Sequence, residues 1–234
     1  MTKRITWWCL ALTLGLGACE QEHSPKCAEE CKTMGKCTLK GGACTATLPE
    51  DCEAAESCRK IGQCHLGEGE CVATASSCQA LAACQRDGLC TAVGGLCRAV
   101  SDADCVKSER CKLEGLCSAK TGSCVAASDE QCANSEGCVK ESLCTARDGK
   151  CVIGDSADCE AARPCKEQGL CTLVDGKCAL ATSADCGKTE WCKVDGRCTF
   201  EAGQCVVGSD TDCKQSQVCE RKEKCTRRGN ACER

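Results

Sequence analysis

Cysteine is the one residue type this chain has in a quantity and a spacing that can do chemistry. It supplies 34 of 234 residues, far above ordinary globular usage. The clearest frame is Ser101–Val125, where Cys105, Cys111, Cys117 and Cys124 are separated by five, five and six residues. Thiols at such density hold metal, cycle redox equivalents or crosslink the chain. Zinc and iron–sulfur sites favour close pairs such as C-x2-C, and within the repeating groups only Cys27 and Cys31 come nearer than the regular spacing. Cys64-His65 is not a haem-attachment motif, because Ile61 stands where the first cysteine would be. No thioredoxin-type C-x-x-C is present. These spacings predict no metal ligands and no cofactor, and leave the disulfide as the chemistry.

The frame repeats. Groups of four begin at Cys27, Cys52, Cys78, Cys105, Cys132, Cys159, Cys186 and Cys213, with a period of 27 residues from the third group to the seventh. A fixed period of this length marks a repeat architecture. Counted from first cysteine to first cysteine, the units are 27–51 (atypical), 52–77, 78–104, 105–131, 132–158, 159–185, 186–212 and 213–234 (basic and truncated). Trp191 and Phe200 are the only aromatics beyond residue 18. So little apolar surface cannot offset a conformational entropy of about 1–2 kcal/mol per backbone residue, and crosslinks must supply the difference. Two histidines, and the lack of a nucleophile elbow, a zincin motif or a phosphate loop, point away from an enzyme. No residue is assigned a catalytic role.

The N-terminus accounts for the two cysteines outside the groups. Lys3 and Arg4 precede a short apolar run, Ile5 to Leu16, too short for the ~20 residues that span a bilayer. It ends in Leu16-Gly17-Ala18-Cys19, which resembles the lipobox of bacterial lipoproteins. The resemblance covers residues 1–19 and implies cleavage between Ala18 and Cys19, loss of residues 1–18, and acylation of Cys19. It further implies the lipid bilayer as a partner. Glu20 in place of the familiar aspartate retention signal implies outer-membrane delivery, so the implied location is the cell envelope, lipid-anchored. With Cys9 in the leader and Cys19 acylated, 32 cysteines remain, an even set as a disulfide framework requires. Residues 20–26 read as a polar tether of roughly 26 Å when extended, with His23 solvated.

Each unit opens like a helix. Ser101, Ser128, Asp155, Thr182 or Ser209 sits four residues before the first cysteine, and Asp104, Gln131, Asp158, Asp185 or Asp212 follows three later. This approximates a capping box. It is preferred to a calcium loop at Asp210 and Asp212, which lacks the ligand number and the glycine. Gly62, Gly88, Gly115, Gly169 and Gly196 stand two residues before a third cysteine and predict left-handed helix ends. Ser142 and Glu223 in that place predict less sharply ended helices. Pro164 and Gly137 lie where one continuous helix would have its interior, and Ser108, Ser135, Thr189 and Ser216 offer a second cap. One helix and two short helical turns therefore both remain open. Between the third and fourth cysteines, all eight units carry a turn pair such as Thr121-Gly122, Asp148-Gly149 or Gly229-Asn230, the mark of a two-residue β-hairpin.

Four cysteines allow three pairings. If the first strand runs back along the helix, Cys117 comes near Cys111 and Cys124 near Cys105, while crossed pairing within the unit is the rival. The nested pattern then gives Cys105–Cys124, Cys111–Cys117, Cys132–Cys151, Cys138–Cys144, Cys159–Cys178, Cys165–Cys171, Cys186–Cys205 and Cys192–Cys198.

The expected fold is thus small, disulfide-rich α+β repeats: eight tandem units, each a short helix or two helical turns plus a two-stranded hairpin, in an elongated array. From Cys213 onward Lys214, Arg221, Lys222, Lys224, Arg227, Arg228 and Arg234 face three glutamates, a net +4 on a chain of net −4. Arg221, Lys222, Lys224, Arg227 and Arg228 are therefore candidates for contact with an anionic envelope polymer or an acidic protein. No nucleic-acid partner is expected. Trp191 reads as packed beside Cys192 rather than as an exposed contact. The functional expectation is a membrane-anchored structural spacer or adhesive stalk. The alternative is a binding module, either a multi-headed protease inhibitor with Lys120, Arg147 or Lys177 as loop candidates, or a trap for small ligands, and a metal-binding protein is the third reading.

Overall fold

The structure, a computed structural model, describes residues 23–234, so the leader, Ala18 and Cys19 lie outside the described residues. Eight structural units, each taken from the helix start ahead of its first cysteine, so that Ser101–Asp104 go with Cys105, follow one another, each of helical turns and a separate two-stranded antiparallel hairpin. In the fourth unit the helices are Asp102–Val106 and Glu109–Glu114, and the strands Ser118–Lys120 and Ser123–Val125. The register pairs Lys120 with Ser123 and Ala119 with Cys124. The choice between one helix and two falls to two. Ser108 adopts an extended ψ of 154° and accepts from Cys111 N–H, so it ends one helix and caps the next. Pro164 avoids the cost of an interior proline because it lies in the first turn of its own helix, Arg163–Gln168. The first unit, two residues shorter between Cys27 and Cys31, has no room for the break and runs from Pro25–Cys27 into Ala28–Met34.

Ser142 and Glu223 correct one expectation. Both take left-handed backbone, φ 62° and 57°, and their N–H groups return to Cys138 and Cys219 carbonyls as at the glycine ends. These helices end as sharply as the others, because the closing bonds belong to the backbone and the side chain only sets the cost. Six of the eight hairpin turns place both central residues in the left-handed region, Thr121 and Asp148 among them.

All sixteen disulfides are nested within their units. Cys105 joins Cys124 and Cys111 joins Cys117, and the same order holds for Cys132–Cys151, Cys138–Cys144, Cys159–Cys178, Cys165–Cys171, Cys186–Cys205 and Cys192–Cys198. The first cysteine of every unit is fully buried. Around it the core is small, as in Ala99, Leu116, Ala126 and Cys132 beside Cys105 and Cys124.

Two positions per unit do the docking in units 4 to 8, both of them carboxylates in units 4 and 8, with Gln131, Ser156 or Ser183 at one of the two in the units between. The residue after the cap holds its own hairpin: Asp102 accepts from Ala119 N–H at 2.7 Å, Asp129 from Ala146 and Asp210 from Arg227. The residue two further on holds the preceding hairpin. Asp104 accepts from Thr91, Asp158 from Thr145, Asp185 from Thr172 and Asp212 from Thr199, and each also accepts a linker N–H. Asp210 and Asp212 are thereby occupied as hydrogen-bond acceptors. Burial works against the charge on Asp104, but the Val100 and Ser101 N–H groups and the Thr91 hydroxyl overcome it and hold the carboxyl below its ordinary 3.8. Asp185 is lowered in the same way, burial opposed by Ala181 N–H, Thr172 and Thr182.

Backbone joins the early units too: Ala46, Ala73, Ala99 and Ala126 each donate to a turn glycine of the next hairpin at 2.9–3.1 Å. The helix-ending glycines complete the joint. A Cβ on Gly88 would stand 2.6 Å from Cys124 Sγ and 2.9 Å from Asp104 O, both in the following unit. Contacts between units run from each to its nearest neighbour, the pattern of a repeat array.

Candidate interaction surface

The expected basic patch divides on inspection. Arg221, Lys222 and Lys224 are exposed and make no ion pair among the described residues. Arg227 instead turns inward along the chain, its guanidinium donating to the carbonyls of Gly229 at 2.9 Å and Gly208 at 3.0 Å. Arg228 lies 4.0 Å from Glu233. Arg227 therefore stitches the last hairpin to the linker before it, and the side chains left for a partner are mainly Arg221, Lys222, Lys224 and Arg228. His23 is not simply solvated: its Nε2 lies 2.8 Å from Asp51 Oδ1, a carboxylate only 5% exposed. It takes the place the hairpin threonine holds elsewhere, since Thr38 bonds Thr47. His23 also lies near Cys31 and Cys37, the one group of potential ligands among the described residues. Those two sulfurs are bonded to each other, which leaves no thiolate for a metal.

A second surface recurs along the array and was not anticipated. Three open grooves occupy equivalent positions at the joints between units 2 and 3, 4 and 5, and 6 and 7, with volumes of about 300, 580 and 420 Å³. Each is walled by the second helix of the later unit and the second strand of its hairpin. Three equivalent places set its chemistry: the residue before the second cysteine, the residue after the left-handed helix end, and the first residue of that second strand. They are Ala83, Leu89 and Leu96 in the first groove, Gly137, Leu143 and Lys150 in the second, and Trp191, Arg197 and Gln204 in the third. The scaffold is constant and the lining varies.

Four charges of the middle groove are paired, Arg110 with Glu114 at 2.9 Å and Lys140 with Glu136, while Glu141 and Lys150 make no ion pair among the described residues. In the third groove Trp191 is 40% exposed, which corrects the expectation that it packs away beside Cys192. It lies on the exposed side of the helix Glu190–Asp195, and Cys192 alone turns inward to its disulfide. The sequence signal for these grooves was available in the alignment of units on their cysteines, where flanking positions change from alanine or glycine to tryptophan. Without the three-dimensional joint nothing linked those positions to one another.

Comparison with known proteins matches no protein family, no curated protein and no solved structure. The sixteen bridges place the folded chain in an oxidising setting, extracellular or periplasmic rather than cytoplasmic. Among the described residues no helix is long and apolar enough to cross a membrane.

Proposed function

We propose that this chain is a lipid-anchored, non-enzymatic spacer of the bacterial cell envelope that presents interaction surfaces along its length. The observation that carries the reading is the joint itself: a threonine–carboxylate bond, a linker N–H bond and a close-packed glycine recur between consecutive units. Such joints resist bending and hold the far end away from the tether. Acylation at Cys19 supplies the anchor, and the outer membrane is the proposed site. The exposed Arg221, Lys222, Lys224 and Arg228 suit an anionic envelope polymer or acidic protein at the free end.

The protease-inhibitor reading is less well supported. Lys120, Arg147 and Lys177 flank two-residue turns whose central residues are left-handed, as at Thr121 and Gly122, and not the extended chain that peptide-binding clefts pair with. Intact mass of membrane-extracted protein before and after reduction tests the proposal. It should show acylation and a gain of 32 hydrogens, with solution scattering giving a rod. A protein with no acyl group, or a compact sphere by scattering, sinks it.

A further inference from the structure

We infer that the groove between units 6 and 7 is a binding site for an acidic sugar residue of a polysaccharide. The inference goes beyond the spacer reading and stands whether or not the chain is anchored. Trp191 offers an exposed indole, 40% accessible, beside a groove of about 420 Å³, within the about 300–1,000 Å³ typical of small-ligand clefts. Leu170 and Leu180 give it an apolar lining. Gln168, Gln204 and Arg197 line it as well, and none of the three side chains makes a hydrogen bond or ion pair among the described residues.

These are the groups a pyranose carrying a carboxylate needs. The apolar C–H face of the ring lies on the indole, which combines a broad apolar face with a polar edge. Ring hydroxyls pair with the two side-chain amides, each both donor and acceptor. The carboxylate takes the guanidinium fork.

The other grooves act as internal controls. Where Trp191 and Arg197 stand, the joint between units 4 and 5 has Gly137 and Leu143; its Arg110 and Lys140 are paired with Glu114 and Glu136, and its Lys150 has no aromatic face beside it. Units 3 to 6 all carry leucine at the position of Arg197, namely Leu89, Leu116, Leu143 and Leu170. Of the three grooves, this one alone sets an aromatic face beside an unpaired cation. A purely apolar occupant would need neither amide nor the guanidinium. A polyphosphate would not need the indole.

The test titrates the oxidised full chain with an oligogalacturonate, following heat and the indole N–H resonance that is missing in W191F. Intact mass confirms sixteen bridges in every variant. Saturable binding is expected, weakened at least about tenfold by W191A and by R197Q, about 1.4 kcal/mol per tenfold step, and partly retained in W191F. A K107Q variant, at an exposed lysine that lines none of the grooves, should bind as well as the unchanged protein. The inference is overturned if W191A binds equally, if inorganic polyphosphate competes fully, or if the matching neutral oligosaccharide binds as tightly. It is equally overturned if the indole resonance moves with protein concentration alone, which would make the groove a contact between copies.

Discussion

Thr91 and Asp104 belong to consecutive units, and the hydroxyl of the first donates to the carboxylate of the second, 3.1 Å from each of its oxygens. The same pair recurs as Thr145 with Asp158, Thr172 with Asp185 and Thr199 with Asp212. At Asp104 and Asp185, which also accept the N–H of their own cap residues Ser101 and Thr182, the residue that completes its helix is also the latch on the hairpin before it. Helix initiation and unit docking are one event at these two joints.

Replacing the latch should loosen one joint and spare the rest. D158A strands the Thr145 hydroxyl and the Gly154 N–H, bonds of 2.8 and 2.6 Å. Leaving such donors unpaired costs about 1–3 kcal/mol. Amide exchange should rise at Gly154 and around Thr145 while units 2 to 4 keep their protection. Unchanged exchange at Gly154 would show that the latch is decorative.

Acid should open two joints in the same way. Asp104 and Asp185 have folded values below their ordinary 3.8. A lowered carboxyl contributes stability that is present above the unfolded value and lost as pH falls through the folded one. Amide exchange at Val100, Ser101, Ala181 and Thr182, corrected for the intrinsic pH effect, should therefore be flat from neutrality to about pH 4 and accelerate below it. The bridges will keep each unit folded throughout. Acceleration beginning near pH 6 would contradict this assignment.

Glycine at the helix end should matter for two separable reasons. G115A and G176A both force alanine into the left-handed region, φ +73° and +76°, at about 1–2 kcal/mol. Only at Gly115 does the new methyl meet the next unit, 2.7 Å from Cys151 Sγ, whereas Gly176 faces open space. Calorimetry should find G115A the more damaging by 1 kcal/mol or more, with overpacking costs of about 1–3 kcal/mol. Equal losses would mean that conformation alone selects glycine here.

The two bridges of a unit should differ in worth. Cys105–Cys124 spans 19 residues and Cys111–Cys117 spans 6. Loop-closure entropy gives about 3.2 and 2.2 kcal/mol respectively. The long bridge also fills the core with the fully buried Cys105. The double variant C105S/C124S should unfold its unit in denaturant well before C111S/C117S does. A reversed order would show that the short bridge, not the long one, organises the fold.

The sequence by itself determined the number of units, the hairpin register and the caps. Those features are local: a turn pair such as Thr121-Gly122 or a cap such as Ser101 acts within a few residues, and chain geometry does the rest. The cysteine spacing excluded close metal pairs for the same reason. Whether the pairing was nested or crossed stayed open, as did one helix or two, because each depends on how helix and hairpin meet across 17 to 19 residues of chain. The tertiary structure decided both, and it alone revealed the joints. Asp104 looks like an ordinary capping residue until Thr91 of the preceding unit is brought to it. Trp191, Arg197 and Gln204 are scattered letters until the fold lays them along one groove. A side chain's second partner, supplied by the neighbouring unit, is a matter of position in space, and spacing along the chain carries no trace of it.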